Sequence, residues 1–141
     1  MRDEPLVKVV CAIIERSGGN AGDRILAARR GPKQSQAGLW EFPGGKLKEG
    51  ESEPTGLMRE IKEELGIEVI PKVPLISVIH SYPAYTIKLM PFICHISSGE
   101  PAAREHSEIK WVNLSDALNL EWAPADIPVV EEYLEIKRLK T

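Results

Sequence analysis

The sequence predicts an α/β fold, one mixed sheet held between helices, and three observations carry the prediction. Several β-branched segments are spread along the chain, and only two stretches have substantial helical character. The 141 residues, free of repeats and low-complexity linkers, suit one domain with a sizeable core. Leu6 to Ile14 is a continuous apolar, β-branched run and reads as a buried strand. Arg16 to Asp23 is a Gly/Asn-rich turn leading to a second strand around Ile25 to Ala28, and Arg29 to Gln36 is a polar loop. A helix follows, with Ser52 as its expected N-cap, Pro54 in its first turn and Gly66 as its stop. Val73 to His80 and Tyr85 to Ile96 read as two strands joined in a hairpin by Ser81-Tyr82-Pro83-Ala84. Ile109 to Val112 is a short further strand and Leu114 to Leu118 a helical turn. Ile127 to Leu139 closes the chain as an amphipathic helix carrying Val130, Tyr133, Leu134 and Leu139.

Charge and cysteine usage narrow the class. A net charge of −3 gives no basic footprint, so no nucleic-acid polymer is expected as a partner. A small nucleotide whose charge is offset by metal is compatible with it. Cys11 and Cys94 fall in apolar, strand-like segments, where buried free thiols are the default and a single disulfide the alternative. The N-terminus, MRDEPLVKVV, is too short and acidic for a signal peptide, and no apolar run approaches membrane-spanning length. A cytoplasmic protein without a membrane partner is expected, as a monomer or homodimer.

The first helix carries an unusual edge. At about 100° per residue, Leu57, Ile61 and Leu65 form an apolar stripe that faces a core. Beside it Glu60 and Glu64 lie about 40° apart, with Glu63 about 60° further round from Glu60. Carboxylates at these spacings repel by a few tenths of a kcal/mol per pair. They also stand near the negative end of the helix dipole. A hard divalent cation such as Mg²⁺ would relieve both costs, whereas a solvated Glu/Lys-rich face is the plain alternative.

The flanking residues bear on that choice. Glu41-Phe42-Pro43-Gly44-Gly45-Lys46 precedes the helix, and glycines allow close backbone approach to a ligand. From Gly45 the spacing is five residues, Glu51, seven residues, Arg59-Glu60-Ile61, one residue, Glu63-Glu64, one residue, Gly66-Ile67. This resembles the Nudix box, the signature of the Nudix hydrolases, and all nine fixed positions are filled within residues 45–67. The resemblance implies a single Nudix domain over residues 1–141, folded as an α/β/α sandwich whose mixed sheet carries a loop-helix-loop motif at one end. It also implies that Glu60, Glu63, Glu64 and the Gly45 carbonyl hold Mg²⁺, with Mn²⁺ as a possible substitute. Glu60 is then the first candidate to orient or deprotonate the attacking water, with Glu63 contributing to the catalytic cluster. Glu63 is otherwise a solvated helix residue. Glu51 and Arg59 become a structural ion pair.

Outside the box, Glu105 lies in the loop where MutT-like members carry an additional metal-binding or base glutamate. Glu108 is its rival, and a surface loop residue the alternative. The segment Ala123-Pro124-Ala125-Asp126 resembles a subgroup that includes CTP and oxidised-nucleotide pyrophosphohydrolases, which makes Asp126 a candidate reader of the base edge. A helix N-cap is its other reading. The resemblance places Arg30 near the phosphates or sugar and Lys46 near the phosphates, although either could be a surface cation. Trp40 and Tyr82 are candidates for stacking on a base, with Trp40 equally suited to the core. His106 could join the site, but a lone loop histidine is more often merely exposed, and exposure is the expected reading.

The implied activity is hydrolysis of a (d)NTP to the monophosphate and pyrophosphate. Modified, oxidised or cytosine nucleotides such as 8-oxo-dGTP or CTP are the expected substrates, and nucleotide-pool sanitisation the expected purpose. The alternatives are a hydrolase of sugar nucleotides or dinucleotides, for which no extra specificity segment is obvious, and a non-catalytic nucleotide-binding module, which the intact acids disfavour.

Overall fold

The computed structural model describes residues 5–18 and 22–139, so part of the predicted Arg16 to Asp23 turn and the first four residues lie outside the described segments, as does the Leu139 side chain. In chain order the elements are β1 (Leu6–Arg16), β2 (Arg24–Arg29), β3 (Trp40–Glu41), β4 (Gly44–Lys46), α1 (Glu53–Leu65), β5 (Glu68–Pro74), β6 (Val78–Tyr82), β7 (Tyr85–Ser98), β8 (Glu108–Asn113) and α2 (Ile127–Leu139). Two 3₁₀ turns, Leu114–Asn119 and Pro124–Asp126, precede α2.

One mixed sheet runs β3-β2-β1-β7-β5, with β4 beside β1, β6 beside β7 and β8 beside β2. β1 and β7 pair in parallel from Leu6↔Thr86 to Glu15↔His95, and the other pairings between these strands are antiparallel. The continuous apolar run of β1 is explained by burial on both faces. Val10, Ala12 and Ile14 pack with Leu57, Ile61 and Leu65 of α1, while Cys11 and Ile13 pack with Val129, Val130 and Tyr133 of α2. The period-two alternation therefore sorts one strand into two cores, and the layers are α/β/α. It also separates the cysteines. Cys11 belongs to the α2-side core and Cys94 to the α1-side core, and both thiols are free.

α1 begins and ends where its residues dictate. The Ser52 hydroxyl accepts from the Thr55 N–H at 3.3 Å, and Gly66 closes the helix at φ 73°, a left-handed cap that favours glycine. Ile61 is fully buried beneath the sheet. Ile61→Ala is expected to lower unfolding free energy by about 2–5 kcal/mol in a denaturant titration. A loss under 1 kcal/mol would show that this helix face does not anchor the core.

The sequence-based boundaries need two corrections. Val73 to His80 is not one strand: β5 ends at Pro74, and β6 starts at Val78. Pro71 and Pro74, which lack N–H donors, fit β5 because it is an edge strand with register shifts against β7. The hairpin connection is accordingly only Pro83-Ala84, with Ser81 and Tyr82 still in the ladder. The very short β3 and β4 went unpredicted. Among the described residues, no helix is long and apolar enough to cross a membrane.

Candidate active site

β4 lies antiparallel to β1, with Gly45 opposite Val10, and delivers the chain to the loop ahead of α1. That loop is tied to the helix by Arg59. Its Nε and Nη2 donate to the two Glu51 oxygens at 2.7 and 2.9 Å, and Nη2 also reaches the Lys46 carbonyl at 3.2 Å. This guanidinium holds the Glu51 carboxyl down to about 2. Nη1 continues to Glu60 at 2.9 Å and to Glu63 at 3.4 Å. Arg59 thus links the loop acid with two acids of the helix edge. Glu63 is half exposed, whereas Glu60 and Glu64 are largely shielded.

Glu64 is the costly member. Its Oε1 is buried without a hydrogen-bond partner. Burial pushes its carboxyl up to about 9, and the charges of Glu41, Glu60 and Glu105 push in the same direction. Gly45 faces the same edge, since a Cβ there would run into the Glu60 carboxylate. Among the described residues, no group of three or more His, Cys, Asp or Glu side chains is already arranged to hold a metal ion. The donor set nonetheless fits a hard divalent cation: clustered carboxylates, one with an orphaned buried oxygen, beside a backbone segment bare of side chain.

The loop before β8 completes this edge. It docks on the C-terminal end of α1, where carbonyls lack helical partners: the Ala102 N–H donates to Leu65 O at 3.1 Å and the Arg104 N–H to Glu64 O at 3.2 Å. Docking brings Glu105 close enough for its charge to act on Glu64, although Glu105 itself is exposed. Glu108 instead pairs with Arg29 at 3.7 Å on the surface. His106 is not exposed as expected but buried, its Nε2 2.8 Å from Glu41 Oε2 and 3.9 Å from Glu64 Oε1.

Next to the acids opens a pocket of about 500 Å³. Val9, Ile87 and Leu89 supply apolar surface, Phe42, Tyr82 and Tyr85 aromatic surface, and Arg30, Glu41, Lys46 and Asp126 the polar groups. The segment before α2 builds one wall by pairing with β3. The Trp40 N–H donates to Glu121 O and the Ala123 N–H to Trp40 O, both at 2.8 Å. That pairing carries Asp126 to Phe42, whose N–H donates to Asp126 Oδ2 at 2.8 Å. Asp126 directly precedes α2, yet its carboxylate makes this long-range bond. Burial pushes Asp126 up to about 8, only partly offset by the Phe42 N–H. At neutral pH the carboxyl keeps its proton much of the time, so it can donate as well as accept. Because the folded state retains a proton that the unfolded chain loses near pH 4, stability falls as pH rises from about 4 to 8. The Asp126 share is up to about 1.4 kcal/mol per pH unit. Asp126→Asn is expected to flatten that slope in denaturant titrations between pH 5 and 8. An unchanged slope would contradict the burial argument.

Arg30 is held at the pocket wall by Glu41 at 2.8 Å and by Ser35, through both its carbonyl and its hydroxyl. Tyr82 stands between His80 and Tyr85, at centroid separations of 4.6 and 5.5 Å, and makes a backbone hydrogen bond with Ala125. Four of the five predicted substrate-binding residues, Arg30, Lys46, Tyr82 and Asp126, thus line the pocket. Trp40 does not. It packs in the α2-side core with Phe42 and Trp122, because inward-facing β3 positions meet that layer. Sequence reasoning missed Glu41, although it stands just three residues before the glycine pair, and undervalued His106, whose partner lies 65 residues away.

Comparison with known proteins gives a consistent relationship. Residues 5–133 match the NUDIX domain family. The CTP pyrophosphohydrolase of Escherichia coli K12 is 38% identical over 132 residues, 94% of this chain and 94% of that protein. The 8-oxo-dGTP diphosphatase of the same organism is 29% identical over 120 residues, 85% of this chain and 91% of that protein. The solution structure of the E. coli ORF135 protein superposes with a TM-score of 0.79 at 38% identity, covering 95% of this chain and 92% of that one. The crystal structure of MutT protein from Methanosarcina mazei Go1 superposes with a TM-score of 0.81 at 27% identity, covering 98% and 99%.

Proposed function

The chain belongs to the Nudix family, as a hydrolase of phosphoanhydride bonds with nucleoside triphosphate pyrophosphohydrolase activity, and from that premise we propose how its own residues act and on which bases. The observation that carries the reading is the shielded acid edge, with its unpartnered Glu64 oxygen, opening beside an apolar, aromatic pocket. Family members generally use Mg²⁺, and here Glu60, Glu64, Glu105 and the Gly45 carbonyl would hold it, with Glu63 at the margin. Bound there, the ion supplies charge neutralisation on the phosphates and a more acidic water.

The protein's own part is positioning and proton handling. Arg59 and Glu51 fix the loop against the helix, so Glu60 keeps one aim. Glu60 takes the proton of the attacking water as the water oxygen bonds to phosphorus, and the bridging P–O bond breaks to leave monophosphate and pyrophosphate. Lys46 and Arg30 offset phosphate charge, and Tyr82 and Tyr85 flank the base.

Base choice falls to Asp126. As a buried group able to donate or accept, it suits a base edge that presents an amino group or an oxidised ring N–H, as in CTP or 8-oxo-dGTP. The protein would then act in the cytoplasm, clearing altered nucleotides. A screen of natural, oxidised and methylated triphosphates, with sugar nucleotides and dinucleotides alongside, tests this. Monophosphate and pyrophosphate from a cytosine or oxidised nucleotide are the expected products, and preferential turnover of a sugar nucleotide would overturn the substrate assignment.

A further inference from the structure

Glu41 touches both halves of the site. At the end of β3, its Oε1 accepts from Arg30 Nη1 at 2.8 Å, on the pocket side. Its Oε2 lies 2.8 Å from His106 Nε2, on the acid side. His106 is buried, its Nε2 3.9 Å from the orphaned Glu64 Oε1, and its own Nδ1 is buried without a partner. A carboxylate accepts only, so the 2.8 Å contact requires His106 to carry its proton on Nε2. The arrangement is expensive. It brings another acid towards an edge already crowded with acids, and it leaves a ring nitrogen desolvated. An apolar trio would join these elements at lower cost.

We infer that Glu41 is a positioning residue that couples the nucleotide pocket to the acid edge. One oxygen aims Arg30 into the pocket, and the other holds His106 as a stop against the Glu64 carboxylate. Side chains around a metal site commonly depend on such outer partners for their orientation, and losing one costs about 10- to 100-fold in metal affinity or activity. The inference rests on the acid edge being the metal site.

The test uses the full chain and Mn²⁺ as the probe, measured by electron paramagnetic resonance without nucleotide and by steady-state kinetics with it. Glu41→Gln and His106→Ala are each expected to weaken Mn²⁺ binding and lower kcat by about 10- to 100-fold. The double variant should be no worse than the more damaging single. Arg30→Ala should raise KM while leaving Mn²⁺ affinity as in the parent, and Glu41→Gln should raise KM as well. Parental Mn²⁺ affinity in both folded single variants, or fully additive losses in the double variant, would overturn the coupling. If the parent itself bound no Mn²⁺, the metal reading of the edge would fall. If neither variant folds, long-range ¹H–¹⁵N NMR of the parent decides: a protonated Nε2 on His106 supports the link, and a bare Nε2 refutes it.

Discussion

Glu60→Gln and Glu64→Gln are each expected to fold and to lose metal-dependent turnover by roughly 100- to 10,000-fold, the range over which positioned acid–base groups act. Both changes keep side-chain volume and replace an ionisable carboxyl with a neutral amide. For Glu64 the substitution is benign to the fold, since its carboxyl is buried and surrounded by other acids. A neutral amide relieves that burden while removing a hard-cation ligand. Circular dichroism would report an intact fold, and phosphate release with and without Mg²⁺ would report the loss. Full turnover in either protein would sink the catalytic assignment of the helix edge.

Gly45→Ala is expected to do nearly as much harm by adding one carbon. The new Cβ would overlap the Glu60 carboxylate, which must swing aside. That carboxylate ends a flexible side chain, so the fold accommodates the change cheaply. The site does not, because misplacement of a reacting group by about 1 Å can cost about 100-fold in rate. The expected pattern is a melting temperature close to the parent's with kcat reduced about 100-fold and weaker Mn²⁺ binding. Gly38→Ala is an informative contrast. There a Cβ meets no atom within 4 Å, but the backbone stands at φ 82°, so the expected damage is to stability. Equal activity of Gly45→Ala and the parent would show that this backbone segment stands clear of the chemistry.

What could be read from the sequence follows from how local its causes are. α1 was legible because its Ser52 cap, Pro54 and Gly66 act on neighbouring backbone, and its stripe of Leu57, Ile61 and Leu65 repeats at helical spacing. α2 was legible over Ile127–Leu139 for the same reason. β3 and β4 carry no comparable signal: two or three residues are extended only because β2 and β1 offer them partners. The site divides in the same way. Its helix acids have local spacing, whereas Trp40 and His106 were read by residue type, and tertiary packing decided for the core alternative at Trp40 and against exposure at His106. Trp40 went to the core and His106 to the site.

The parallel pairing of β1 with β7 has a consequence for how the protein comes into being. It joins residues about eighty positions apart, with all of α1 between them, and such distant contacts form slowly because the chain loop must close first. During synthesis α1 and its acids emerge long before β7 can seat β1. The loop carrying Glu105 and His106 arrives later still, and Asp126 last. A ribosome-bound chain stalled before residue 126 should therefore contain the helix without a finished pocket. Once the sheet has closed, the central amides of β1 should exchange with solvent only when the whole molecule opens.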